Sequence, residues 1–174
     1  MQKKVYDIAS REAARARKGQ GNPFSIDVVE VVLSYGIELK TWRFSSDARG
    51  LYLRAPNHRP CILVDISPSR LPADIRYTIA HEIGHHIYAE RIGLSEAYYL
   101  DCGYQSNSIE ETAAYVYADE LLLPEDLLKK RVLQYTHNAR RAIEIAATTF
   151  SVSDYRAGIR LRELKLIGVN EDEY

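Results

Sequence analysis

The stretch HEIGHHIYAERIG, residues 81–93, places two histidines four positions apart, with a glutamate directly after the first. Four helical residues rise about 6 Å and turn about 400°, so His81 and His85 project from one face. Two imidazoles in this arrangement can share one metal ion, and Glu82 lies about 100° round the helix, beside that ion. The H-E-x-x-H pattern therefore predicts a zinc site with Glu82 as general base; the alternative is a helix whose histidines only form hydrogen bonds in a core.

Two other residues of this stretch have structural interpretations. His86 lies off the ligand face, and we expect it to pack or to support the site rather than to bind metal. Gly84 costs about 1 kcal/mol relative to alanine inside a helix, so it indicates a packing requirement. We expect the backbone of a strand to approach the helix at this glycine.

The composition is that of an ordinary folded protein. The chain has 174 residues, of which 46% are hydrophobic and 27% charged, and its formal net charge is −1. This length suits one domain, or one domain with a small appendage, and the near-neutral balance indicates no polyanionic partner. The charged residues are mainly acidic in segment 90–126 and mainly basic in segment 129–165. This asymmetry predicts either solvated helix faces or a basic segment that meets an acidic partner or nucleic acid.

The sequence predicts a cytoplasmic protein. The two cysteines, Cys61 and Cys102, form no motif, and free thiols suit a reducing compartment. No apolar run approaches the ~18 residues of a membrane span, and no apolar stretch follows the basic N-terminus as it would in a secretory signal. We expect no membrane partner.

The order of the predicted elements, helices followed by a small sheet and then more helices, indicates an α+β fold. Residues 3–18 have the pattern of a helix, and so does the segment from the capping Ser25 to Gly36. Three short segments rich in β-branched and aromatic residues predict a meander or hairpin sheet: IELKTW, GLYLRA and CILVDI. We expect a mainly helical molecule whose three-stranded sheet packs on the H-E-x-x-H helix.

The predicted organisation is a core, a C-terminal helical segment and an acidic tail: residues 1–124, 125–168 and 169–174. The core contains the H-E-x-x-H helix at about 73–92 and the next helix at about 108–123, separated by a loop at 94–106. The C-terminal segment consists of three shorter helices, at about 125–135, 139–149 and 153–166.

A catalytic zinc ion takes three protein ligands and keeps a fourth position open, so the pattern requires one more ligand. A carboxylate on the next long helix is the simplest supply, and Glu111 shares a face with the small residues Ala114 and Ala118. Ser108 and Glu111 also form the S-x-x-E pattern of a capping box, so ligand and cap are alternative roles for this glutamate. The other candidates by residue type are His58, Asp101, Cys102, Glu110 and His137.

Two segments together resemble the ImmA/IrrE family of zinc metallopeptidases. RYTIAHEIGHHIY, residues 76–88, is similar to the family's H-E-x-x-H helix, and SIEETAAYVYADELLLP, residues 108–124, is similar to its third-ligand helix. Family members carry a glutamate 13 residues before the proline that ends the second helix, and counting back from Pro124 reaches Glu111. The resemblance extends over most of residues 22–168 and implies a zincin-like core.

The resemblance also implies a function and a set of site residues. By its motifs, His81, His85 and Glu111 bind one Zn²⁺ per chain and Glu82 is the catalytic base; the same ligand types also hold Mn²⁺ or another divalent ion. Members of the family are endopeptidases that typically cleave helix-turn-helix transcriptional repressors of mobile elements, phages or stress responses. We therefore expect such a repressor as the protein substrate of this chain.

Peptide hydrolysis also requires a group that stabilises the negative charge developing on the carbonyl oxygen. A tyrosine, a histidine or a backbone N–H can supply it, and Tyr104 and His137 are the candidates. Each has an ordinary surface or packing role as its alternative.

The basic C-terminal helices suggest a different function. Two helices broken at 151–153, with Arg156, Arg160 and Arg162 on the second, resemble a helix-turn-helix layout. Three roles are open, in this order: completing the core, docking a protein substrate, and contacting DNA. The alternative function is a non-proteolytic, zinc-containing anti-repressor or a DNA- or protein-binding module. Closed structural zinc sites use four ligands, often cysteines, and neither cysteine here has such spacing, which favours the peptidase.

Overall fold

The computed structural model describes residues 2–101 and 108–168 and confirms the α+β class. Seven α-helices and a four-stranded sheet occur in these two ranges. In chain order the elements are α1 (Gln2–Lys18), α2 (Val28–Ser34), β1 (Glu38–Trp42), β2 (Gly50–Arg54), β3 (Cys61–Asp65), α3 (Pro72–Ile92), β4 (Ala97–Asp101), α4 (Ile109–Leu122), α5 (Glu125–Val132), a 3-10 turn (Leu133–Tyr135), α6 (Ala139–Phe150) and α7 (Asp154–Glu163).

The sheet differs from the prediction in strand number and order. The three predicted strands are confirmed, but a fourth, β4, forms within the segment 94–106 that the sequence predicts as a loop. The spatial order is β1-β3-β2-β4, with β1 parallel to β3 and the other pairs antiparallel. The meander is therefore wrong, whereas the hairpin alternative is confirmed by the antiparallel pairing of the consecutive strands β2 and β3. Pairing of β4 with β2 brings Asp101 opposite Gly50, a tertiary contact that no local pattern encodes.

Helix α3 is the centre of the molecule. It begins with Pro72 at its first turn, where the missing N–H costs nothing, and ends at Gly93, whose φ of 72° only glycine adopts without strain. Every residue from Tyr77 to Ile87 is buried, so the helix is covered on all sides by the sheet and the other helices.

Gly84 explains how closely α4 approaches α3. A Cβ built on Gly84 would lie 2.5 Å from the Cα of Ala114 in α4. The expected close approach is therefore real, but the partner is a helix backbone and not a strand, because α4 packs along this face of α3.

The N-cap of α2 also differs from the prediction. Asp27, not Ser25, occupies the position, and its carboxylate accepts hydrogen bonds from the backbone N–H groups of Val29 and Glu30. The helix therefore begins two residues later than Ser25 would allow, since the capping residue itself stays extended.

The C-terminal helices contribute to the core. Ala142, Ala146 and Phe150 of α6 and Ala157 and Leu161 of α7 are fully buried in one cluster with residues of α3 and α4. This burial matches the first of the three roles considered for the segment, while the division of the chain at residue 124 stays a prediction. Of the helices in the described ranges, none combines the length and apolar character required to cross a membrane.

Candidate metal centre

Three side-chain donors converge between α3 and α4. The Nε2 atoms of His81 and His85 lie 3.1 Å apart. The carboxylate of Glu111 lies 3.3 Å from the first through Oε2 and 3.2 Å from the second through Oε1. The one-turn spacing on α3 aligns the imidazoles, and the close approach of α4 at Gly84 brings Glu111 to them.

These separations fit a zinc ion. Tetrahedral zinc with Zn–N bonds of about 2.0–2.1 Å requires donor atoms about 3.3–3.4 Å apart. The two Nε2 atoms are 3.1 Å apart, and each lies 3.2–3.3 Å from one of the two oxygens of Glu111. Within residues 2–101 and 108–168, His81, His85 and Glu111 form the cluster that could hold a metal ion.

The electrostatics of the cluster favour the ligand forms of these side chains. Burial lowers the pKa of His85, against the opposing effect of Glu111. Burial by itself would raise the pKa of Glu111, but hydrogen bonds with His81 and His85 outweigh it and lower that pKa to about 2. Neutral imidazole and ionised carboxylate are the forms that bind metal.

Glu82 is fully buried beside this cluster. Neither of its carboxylate oxygens has a hydrogen-bond partner in the described part of the chain. Burial, followed by the charges of Asp101 and Glu111, raises its pKa well above the usual value. A carboxyl group held without a partner next to a metal-binding cluster is placed to exchange a proton with a bound water or substrate.

Gly50 of β2 makes room for this carboxyl group and was not singled out from the sequence. A Cβ on Gly50 would lie 2.5 Å from Oε1 of Glu82 and 2.6 Å from Cγ2 of Thr78. A glycine in a strand often marks a position where another part of the chain approaches closely, and Gly50 is the first residue of β2. This is the feature of the sequence from which the contact could have been predicted.

The backbone and the side chain of Glu111 have different partners. Its backbone N–H donates to the hydroxyl of Ser108, which is the N-cap of α4, while its carboxylate faces the two histidines. Its neighbour Glu110 is not part of the cluster. His86 has a different partner, because its Nδ1 lies 3.0 Å from the hydroxyl of Tyr52.

The other candidates from the sequence lie elsewhere or outside the described residues. Tyr104 and Cys102 belong to the segment 102–107, which is not described. His137 is exposed in the turn before α6, and His58 is exposed between β2 and β3. Asp101 is buried at the end of β4, where its charge acts on Glu82.

Arg156 and Arg160 of α7 contact other parts of the chain. The guanidinium of Arg156 lies over the rings of Tyr77 and Tyr115, at 4.3 and 5.1 Å from their centres. Arg160 pairs with Glu120 and has only 12% of its side chain exposed. These contacts support a packing role for α7, and Arg162 lies on the same helix.

An H-E-x-x-H helix with a buried glutamate, completed by a carboxylate from the following helix, defines a centre of the metallopeptidase class. The particular family follows from comparison of the sequence with family models. The chain belongs to the IrrE N-terminal-like domain family, Peptidase_M78, whose model matches residues 36–162, and the resemblance drawn from the motifs is thereby confirmed. A comparison with curated proteins gives no match. Membership of this family makes the chain a hydrolase of the peptidase type.

Proposed function

We propose that the chain is a zinc-dependent endopeptidase that cleaves a specific protein substrate, a helix-turn-helix transcriptional repressor of a mobile element, phage or stress response. The observation that carries the proposal is the convergence of His81, His85 and Glu111 beside the buried Glu82. Family membership supports peptidase chemistry. The repressor as substrate rests on the sequence resemblance, and the cytoplasm, where repressors act, is the proposed location.

The residues divide the chemistry between them. His81, His85 and Glu111 would hold the zinc ion. A bound zinc ion supplies Lewis acidity, which acidifies a water molecule and polarises the scissile carbonyl. Glu82 accepts the proton of the attacking water and later transfers it to the leaving amine. Burial of Glu82 excludes bulk water, so the proton stays with the reacting groups.

A cleft lies between the first half of α3 and the beginning of α7. It has a volume of about 640 Å³ and is lined by Thr78, which lies one turn before Glu82 on α3, and by Arg156 of α7. Pockets of this size accommodate several side chains. The lining of this cleft does not include His81, Glu82, His85 or Glu111.

The experiment that tests the proposal compares the wild type with Glu82→Gln. Both proteins are loaded with zinc, freed of excess metal and incubated with purified helix-turn-helix repressors encoded beside the gene for this chain. New N-termini are identified by mass spectrometry, and zinc per chain is measured in parallel. We expect one zinc per chain in both proteins and cleavage only by the wild type, because Glu82 moves the proton and does not bind the metal.

Two results would overturn the proposal. Cleavage by Glu82→Gln at the wild-type rate would remove Glu82 as the base. A wild type that retains no zinc after loading would remove the metal centre itself.

A further inference from the structure

Aromatic rings contact both imidazoles of the cluster. The ring of Tyr115, from α4, has its centre 4.5 Å from that of His81, at an interplanar angle of 54°. The ring of Tyr99, from β4, has its centre 4.5 Å from that of His85 and is nearly parallel to it, at 10°. Each metal-binding imidazole is therefore in contact with a tyrosine from a different element.

In each imidazole, the nitrogen that does not face the cluster is Nδ1, and it makes no hydrogen bond with the described residues. The Nδ1 atoms of His81 and His85 are buried and have no hydrogen-bond partner among the described residues. Histidines that bind metal usually donate this second N–H to a carboxylate, a carbonyl or water, which fixes the orientation of the ring. Here the described contacts that can fix the orientation are the aromatic ones.

We propose that Tyr115 and Tyr99 are positioning residues that orient the imidazoles of His81 and His85 for metal binding through ring contacts. This inference rests on the proposed zinc centre. It holds that two residues outside the ligand set fix the orientation of the histidine ligands. The rings restrict rotation of the imidazoles, so both Nε2 atoms stay directed at Glu111 before a metal ion arrives.

Both tyrosines are themselves held in place. The guanidinium of Arg156 lies 5.1 Å from the ring centre of Tyr115 and 4.3 Å from that of Tyr77, so α7 braces this ring against α3. Tyr99 stacks on Tyr52 of the neighbouring strand, with ring centres 6.3 Å apart at 17°. Aromatic pairs at such distances are attractive beyond the area that they bury, so each tyrosine is a firm support.

The test measures zinc affinity by competition with a chromophoric chelator, and not peptidase activity. We expect Tyr115→Ala and Tyr99→Ala each to lower the affinity about tenfold, the range found when a partner that orients a ligand is lost. Tyr115→Phe and Tyr99→Phe keep the ring and should stay within about threefold of the wild type. Tyr98→Ala is the matched control, because Tyr98 directly precedes Tyr99 on β4 and is 63% exposed.

A second readout separates positioning from a general effect on the fold. Co²⁺ in place of zinc gives visible absorption bands that report the ligand geometry. The alanine variants should change these bands, whereas the phenylalanine variants and Tyr98→Ala should keep the wild-type spectrum. Circular dichroism identifies any alanine variant that does not fold. Such a variant is replaced by the leucine variant at the same position, Tyr115→Leu or Tyr99→Leu, which keeps most of the apolar volume without a ring.

The outcomes separate this inference from the function on which it rests. Folded alanine or leucine variants that bind zinc as tightly as the wild type, with an unchanged Co²⁺ spectrum, would overturn the positioning role and leave the zinc centre intact. A wild type without zinc affinity would overturn both. Weakened binding in the alanine variants with recovery in the phenylalanine variants supports the inference.

Discussion

At Glu111 a capping pattern and a candidate metal ligand coincide in one turn of α4. The backbone N–H and the carboxylate of this residue are independent groups: the first donates to Ser108 and the second faces His81 and His85. The S-x-x-E pattern therefore did not exclude a metal ligand. A cap places the first turn of α4 precisely where the carboxylate is needed, so the capping interaction supports the site.

Glu111→Gln should lose most of the zinc affinity, because a neutral amide replaces the charged ligand. Glu110→Gln, the matched control on the preceding position of the same helix, should bind zinc as the wild type does, since Glu110 is not in the cluster. Competition with a chelator measures both, and we expect a difference of at least about tenfold. Equal affinities for the two variants would exclude Glu111 as a ligand.

Gly50→Ala should reduce peptidase activity while zinc remains bound. The new Cβ would lie 2.5 Å from Oε1 of Glu82, so the carboxyl group or the strand has to move, and the three nearest atoms belong to Glu82 and Thr78, which are outside the candidate ligand set. A displacement of this kind costs about 100-fold in rate when it misplaces a reacting group. Gly21→Ala is the control, because no heavy atom lies within 4 Å of its added Cβ. The measurements are rate of repressor cleavage and zinc per chain; full activity in Gly50→Ala would contradict the assigned position of Glu82.

At the scale of elements, the long helices and the pairing of the two histidines could be predicted from the sequence because both depend on local spacing. The spacing of His81 and His85 fixes their common face, and Gly93 marks the end of the helix. Strand β4 and the order of the sheet could not be predicted, since they depend on β2 pairing with residues about fifty positions away. Gly84 indicated a close contact at this point of the helix, but only the structure identifies Ala114 as the residue in contact.

Gly84→Ala tests the contact between α3 and α4. The added Cβ would meet the backbone of Ala114 at 2.5 and 2.8 Å, and backbone atoms cannot move without shifting the helix. We expect a loss of about 1–3 kcal/mol in the free energy of unfolding, together with weaker zinc binding, because α4 carries Glu111.

The control for this variant is Gly158→Ala on α7. Its Cβ would meet the flexible end of Arg162 at 3.2 Å and Ile143 at 3.4 Å, so the helix should accept it and gain up to about 1 kcal/mol. Urea unfolding of both variants gives the comparison. A Gly84→Ala protein as stable as the wild type would show that the two helices are not held at this distance.

At the scale of the whole molecule, α3 is the element to which distant parts of the chain attach. Arg76 donates to the carbonyl oxygens of Phe150 and Ser151 at the C-terminal end of α6, and to that of Ile26 before α2. The candidate cluster of His81, His85 and Glu111 could be predicted because the histidine spacing is local and the family resemblance favoured Glu111 as the third member. The contacts of Gly50 with Glu82 and of Tyr99 with His85 could not, because they form only when the sheet packs against α3.

Asp119 links the stability of the whole molecule to pH. It is 8% exposed and accepts a hydrogen bond from Tyr77 at 2.8 Å. Burial raises its pKa from 3.8 to about 6, against the opposing effects of Arg160 and Tyr77. The folded protein therefore holds a proton that the unfolded chain releases between about pH 4 and pH 6, so this group favours the folded state increasingly as the pH falls through that window.

The prediction is that this pH dependence disappears in Asp119→Asn, because the amide accepts the hydrogen bond from Tyr77 without titrating. Urea unfolding of the metal-free proteins at intervals from pH 7 to pH 4 measures it. On acidification, the free energy of unfolding of the wild type should rise relative to that of Asp119→Asn by up to about 3 kcal/mol, and groups that titrate equally in both proteins cancel in the difference. Asp47→Asn, which changes an exposed aspartate, should follow the wild type. A difference between wild type and Asp119→Asn that stays constant with pH would show that Asp119 is ionised in the folded protein throughout this range, with its burial compensated by Arg160 and Tyr77.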